Sequence, residues 1–245
     1  WVWLLKPQVK WLFASYAQSL SIRDSIKCRQ LIESYWYRNM FRIGWSLSED
    51  QNQKMRFNNS ESGYRIATSI GGAGTGEGGD FICCDDPHNA MEALSEVKRE
   101  TVINWWDLQM SSRGSDPKTV VKIVVMQRLH ENDLTGHILS AGNYEHLILP
   151  AEYEGSKKVT SIGWSDPRTE TNELLWPERM GRKEINEVKA SLGSMGTAGQ
   201  LQQRPTPADG GLFKRSWWKF YDVPPKQFKR VVQFWDCAQK IGITN

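Results

Sequence analysis

The run Thr119-Val-Val-Lys-Ile-Val-Val-Met126 is dense in β-branched residues and reads as a buried strand. It belongs to a series. Residues 11–15, 64–69, 81–84 and 144–149 have the same short apolar character. Between them, 17–34, 95–110 and 131–140 carry apolar positions at helical spacing. Strands that alternate with helices argue for an α/β fold with a mostly parallel sheet.

Beyond Pro150 the pattern weakens into polar, irregular chain as far as Pro177. A helix is expected over 182–191, ended by Gly193, and a further one over 197–203. The Pro- and Gly-rich stretch 203–211 reads as a linker or extended arm. A new strand is expected over 230–235, ending at Asp236. The chain therefore divides into 1–150, 151–211 and 212–245.

Composition excludes several classes. Hydrophobic residues make up 39%, enough for a sizeable core, so disorder as the main state is excluded. With 31 Lys+Arg against 28 Asp+Glu, the net charge of +3 does not by itself argue for a nucleic-acid partner. The longest apolar runs are far too short to span a bilayer, and no secretory signal pattern is visible. Cys28, Cys83, Cys84 and Cys237 have no C-x-x-C spacing and lie apart from the histidines, so they read as free thiols of a reducing compartment. The 12 tryptophans are expected mainly in the core and at interfaces. Trp1 in place of Met, and an end at Asn245 soon after a strand-like run, are what a piece of a longer reading frame would show.

Two strands end in polar pairs. The run 81–84 leads into Asp85-Asp86-Pro87, which would place carboxylates at the carboxyl edge of a sheet, where α/β proteins bind ligands. In phosphate-hydrolysing ATPases the first such acid helps to hold Mg²⁺ and the second polarises the attacking water. Neighbouring residues of an extended strand point to opposite sides, so the two acids could take different roles. The same Asp-Asp-Pro also suits a turn or helix start. Residues 119–126 lead into Gln127 and Arg128, which could sense a γ-phosphate, form a surface salt bridge or cap a helix opened by Asn132 or Asp133. Asp236 is either a metal-binding acid or a turn residue. The loop Gly71-Gly-Ala-Gly-Thr-Gly76, continuing to Gly79, fits neither G-x-x-x-x-G-K-[ST] nor a dinucleotide fingerprint, and reads as a mobile loop or a tight backbone passage.

Taken in order, Ser15-Tyr16-Ala17-Gln18, Arg65-Ile-Ala-Thr-Ser69, the glycine loop, Asp85-Asp86-Pro87-His88, Gln127-Arg128-Leu129-His130-Glu131, Asp133-Leu-Thr-Gly136, Leu149-Pro150-Ala151-Glu152, Gln202-Gln203-Arg204-Pro205 and Trp235-Asp236 resemble the large terminase subunit of tailed bacteriophages, a DNA-packaging motor. The resemblance implies part of a RecA-like P-loop ATPase sheet in 1–150 and an ATPase subregion with linker in 151–211. It implies the first strand of an RNase H-like nuclease domain in 212–245. It makes Asp85 and Asp86 the acid pair that holds ATP-bound Mg²⁺ and activates water, Gln127 and Arg128 the coupling or sensor pair, and Asp236 the first nuclease metal ligand. ATP and Mg²⁺ follow as cofactors, with Mn²⁺ possible at the nuclease site. Implied partners are double-stranded DNA, the portal protein, the small terminase subunit and further copies in a ring on the procapsid, in the host cell cytoplasm.

The chain departs from the family pattern in three ways. No phosphate-cradling loop precedes Trp11, so residues 1–245 alone are expected to have negligible ATPase activity. Gly78 or Gly79 stands where an arginine is common late in the glycine loop. The remaining nuclease acids are expected beyond Asn245. The alternatives are another RecA-like helicase or translocase, and a non-catalytic DNA-binding or capsid-assembly module.

Overall fold

The computed structural model describes residues 1–72, 76–156, 158–206, 230 and 232. The chain divides into two units, Trp1–Gly211 and Leu212–Asn245. The expected strand at 230–235, Asp236 and Cys237 lie in the second unit and, except for Arg230 and Val232, outside the described residues.

The elements run α1 (Val2–Leu5), β1 (Trp11–Ser15), α2 (Gln18–Glu33), α3 (Tyr35–Phe41), β2 (Leu47–Asn52), β3 (Arg56–Asn59), β4 (Tyr64–Ser69), β5 (Phe81–Asp85), α4 (Glu96–Trp105), β6 (Val121–Val125), α5 (Leu134–Ser140) and α6 (Arg182–Gly196). They form an α/β fold on a six-stranded mixed sheet of order β2-β3-β4-β1-β5-β6. β4, β1, β5 and β6 are mutually parallel, whereas β2 and β3 pair antiparallel at one side.

Side chains alternate across the sheet, as the pleat requires. Leu12, Ala14, Ile66, Ile82 and Cys84 join Val102, Trp105, Trp106, Met110, Leu134 and Ile138 in one core, under α4 and α5. Trp11 and Phe81 point the other way, into a second core with Trp3, Ile32, Tyr37, Trp45 and Phe57. Strands buried on both faces read as near-continuous apolar runs, as β1 and β5 do; β4 is interrupted by the buried Arg65 and by Thr68 and Ser69. Trp3, Trp45, Trp105 and Trp106 are buried, as expected of core tryptophans, while Trp36 and Trp176 are exposed.

The structure corrects the sequence reading at several points. Residues 144–149 form no strand. Their composition suits one, but a strand exists only when its backbone groups find a partner, and β6 next to them ends the sheet. β2 and β3 were not expected, because Leu-Ser-Glu-Asp-Gln-Asn52 is polar and edge-like. The helix over 131–140 begins only at Leu134, with Asp133 as its N-cap, its carboxylate accepting from the Gly136 N–H at 2.9 Å. α4 widens into a π-turn over Trp106–Met110, and a second π-turn spans Thr197–Leu201.

The helix breaks at Gly193, as expected, and the break takes the form of a kink. Gly193 has φ 67°, a left-handed conformation that glycine adopts without Cβ strain, and helical turns resume to Gly196. The irregular 150–177 region is pinned by a buried bidentate pair: Arg168 Nε and Nη2 donate to Asp166 at 3.0 and 2.8 Å. Arg168 Nη1 also donates to the Pro150 carbonyl at 2.8 Å. Among the described residues no helix is long and apolar enough to cross a membrane.

Candidate functional site

In-register pairing builds the site. Ser15 lies beside Asp85 and Asp85 beside Val125, so β1, β5 and β6 end at one level, and Ser69 of β4 is level with Ser15. This is the carboxyl edge of the parallel strands, where the crossover connections leave a crevice.

Asp85 is exposed at that edge. Burial of its surroundings pushes its carboxyl above the usual range, and the nearby charges of Asp86 and Asp24 add to this, against a smaller opposing pull from Arg23. Asp86 departs from the expectation that the two acids alternate along a strand. It lies one residue past β5 with φ 44°, in the left-handed region. Two backbone hydrogen bonds hold it there. Its N–H donates to the Val125 carbonyl at 2.8 Å, and its carbonyl accepts from the Tyr16 N–H at 3.1 Å. Asp86 therefore ties the end of β6 to the segment between β1 and α2.

Arg23 and Asp24 were missed by the sequence reading. They sit on α2 as an exposed pair with Nε to carboxylate at 2.9 Å, and both act electrostatically on Asp85. Only the β1–β5 register brings this helix to the acids, so no local signal marks them. The N-terminus of α2 opens at the same edge, and its N-cap Ala17 makes no side-chain capping bond. The first N–H groups of that helix carry partial positive charge suited to an anion.

Gln127 and Arg128 follow β6 and part company. Gln127 is exposed. Arg128 is committed to its own loop: Nε donates to the Asp133 carboxylate at 3.0 and 2.9 Å, and Nη2 to the Glu131 carbonyl at 3.2 Å. Its backbone N–H donates to Gln203 Oε1 at 3.1 Å, which fixes the 197–204 segment to the tip of β6. His88 is buried behind the acids. Its Nε2 accepts from the Leu134 N–H at 2.9 Å, so the neutral ring carries its proton on Nδ1, and burial lowers its pKa.

The connection between β4 and β5 returns along the sheet. β4 ends at the carboxyl edge and β5 starts at the opposite edge, so residues 70–80 must travel back along the sheet. The later half is held tightly: the Tyr64 hydroxyl donates to the Gly78 carbonyl at 2.6 Å, and the Asp80 N–H to the Lys10 carbonyl at 2.8 Å.

The chemistry open to this edge is that of a paired carboxylate. Mg²⁺ is commonly bound by one or two carboxylates, with phosphate oxygens and water completing the octahedron. Asp85 and Asp86 fit that demand, since a cation would favour the charged form of Asp85, which burial first and the nearby charges of Asp86 and Asp24 second disfavour. Among the described residues no group of three or more His, Cys, Asp or Glu is gathered as a metal site. Cys83 and Cys84 offer no alternative nucleophile here: burial pushes Cys83 up to about 11 and Cys84 well above its ordinary value.

The sequence matches no protein-family model, and a search of the curated proteins found no match either.

Proposed function

We propose that this chain carries part of the ATPase of a DNA-packaging motor of the kind that the large terminase subunit represents, with a RecA-like sheet. The observation that supports the reading best is the placement of Asp85 and Asp86 at the carboxyl edge of parallel strands, with Asp86 tied to both neighbouring strand ends. Asp85 would hold the metal that accompanies ATP. Bound Mg²⁺ would neutralise charge on the transferring phosphoryl group. Asp86, held off the strand axis, would orient and polarise the attacking water. Gln127, exposed at the next strand tip, would read the presence of the γ-phosphate, and Arg128 would keep that tip in place through Asp133. Double-stranded DNA, the portal protein, the small terminase subunit and further copies in a ring are the partners this reading carries. The endonuclease assigned to Asp236 rests on the resemblance alone.

The test is ATP turnover by the protein of the complete reading frame, with nucleotide binding measured alongside. Asp86→Asn should retain binding and lose about 10²–10⁴-fold in hydrolysis. An unchanged rate would transfer the role to another residue. In the same protein, Asp236→Ala should abolish metal-dependent plasmid nicking while ATP turnover persists. Intact nicking removes Asp236 from the nuclease site.

A further inference from the structure

Arg128 is gripped through its backbone as well as its side chain. Its N–H donates to Gln203 Oε1 at 3.1 Å, across 75 residues of sequence. Its carbonyl oxygen lies against Gly199, where a Cβ would come within 2.7 Å of it. Segment 199–203 therefore meets both backbone polar groups of one residue at the tip of β6. The orientation of the Gln203 amide is fixed from both ends, because Nε2 donates to the Gln200 carbonyl at 2.7 Å while Oε1 accepts.

The same segment is anchored on 151–154 by other groups. The Leu201 carbonyl accepts from the Ala151 N–H at 2.8 Å. Gln202 accepts from the Glu152 N–H at 3.2 Å and donates to its carbonyl at 3.1 Å. Arg204 pairs with Glu154 at 2.7 Å. The Gln203 side chain is thus not needed to keep the segment in place. Its backbone has φ 58°, a left-handed conformation that glycine adopts more readily. Strain of this kind persists where the surroundings impose it, and it gathers at functional sites.

The N–H that Gln203 accepts belongs to the planar peptide joining Gln127 to Arg128, so its direction sets the backbone of Gln127. The tip of β6 is held at Val125, by the Asp86 N–H at 2.8 Å, and next at this peptide. Only Met126 and Gln127 lie between the two holds, and Gln127 is exposed. The Arg128 side chain, bound to Asp133, secures the turn that follows but not the plane that precedes it.

We propose that Gln203 is a positioning residue: by fixing this peptide it presents the Gln127 side chain at the carboxyl edge beside Asp85 and Asp86. The inference rests on the ATPase reading, which gives Gln127 the γ-phosphate. Displacing a reacting or sensing group by about 1 Å costs about 10²-fold in rate, so one remote hydrogen bond can set turnover.

The experiment measures ATP turnover, nucleotide binding and amide exchange on the protein of the complete reading frame. Gln203→Gly removes the side chain and relaxes the left-handed backbone, and should melt within about 4 °C of the unmodified protein. It should lower kcat at least about tenfold while KM and nucleotide affinity stay within about twofold. In a Gln127→Ala background the same change should cost less than about twofold, because the group being positioned is gone. Peptides covering 126–130 should exchange faster in Gln203→Gly. Gln203→Asn, which suits a left-handed backbone but is too short to reach Arg128, decides the matter if Gln203→Gly does not fold. Unchanged kcat, unchanged exchange, or an undiminished further loss in the Gln127→Ala background overturns the proposal. Absence of turnover in the unmodified protein instead sinks the ATPase reading, and the role of Gln203 with it.

Discussion

The Arg128 guanidinium lies 2.9 Å from the Asp133 carboxylate, and that carboxylate is fully buried. The pair closes the turn between β6 and α5. Asp133 also caps α5 and accepts from the Leu129 N–H at 3.1 Å, so one side chain satisfies a cation, a helix end and a loop.

Asp133→Ala should therefore be among the most damaging substitutions in the chain. It strands a mostly buried guanidinium and uncaps a helix, a loss of about 3–5 kcal/mol. Urea unfolding followed by tryptophan fluorescence checks this. A change under about 1 kcal/mol would mean that water replaces the carboxylate without cost.

Gly136 is required for close approach. A Cβ there would sit 1.9 Å from the Glu131 carbonyl oxygen, which is backbone and cannot swing aside. Gly136→Ala should cost at least about 2 kcal/mol. Gly44→Ala, where a Cβ meets nothing within 4 Å, should stay within about 0.5 kcal/mol of the original. Paired thermal melts of the two variants provide the comparison.

His88 should make stability fall at mildly acid pH. Burial depresses its folded-state pKa below the ordinary 6.5, so the unfolded chain binds the proton more readily. The contribution is full above 6.5 and is lost as pH falls from there through the folded value. Protonation of Nε2 would also end the bond from the Leu134 N–H. His88→Gln can keep an acceptor without titrating, and should flatten the loss seen by chemical denaturation between about pH 7 and 5. His130 and His146, also lowered by burial, contribute with the same sign and leave a residual slope.

At Asp86 the backbone and the carboxylate can be separated. Its φ of 44° suits Asn and Gly better than Ala. Asp86→Asn should leave the melting temperature nearly unchanged, whereas Asp86→Ala should cost about 1 kcal/mol. Equal melting of the two variants would show that the left-handed turn relaxes in the variant.

How far the sequence could be read depended on burial. Residues of β1 and β5 are mostly apolar on both faces because both faces are covered, so a continuous pattern exposed them. The pattern reports burial and not pairing. That is why 144–149, apolar beside a cavity, read as a strand, and why polar β2, paired at an edge, did not. Asp85 was legible as the end of an apolar run. The left-handed turn at Asp86 was not, because it is set by Val125 and Tyr16, residues far from it in sequence. Arg128 was legible as a polar strand tip, but its commitment to Asp133 required the turn that joins β6 to α5.

The two rims of the sheet are unlike in their consequences for handling the protein. β2 presents exposed Glu49 and Asp50 and breaks register against β3, a combination that repels other strands. β6 presents Val-Lys-Ile-Val-Val, with Val121 and Val125 39% and 54% exposed. Among the described residues, strand-edge self-association should begin at β6 rather than at β2, and a charge introduced at Val121 or Val125 should improve solubility more than the same change on β2.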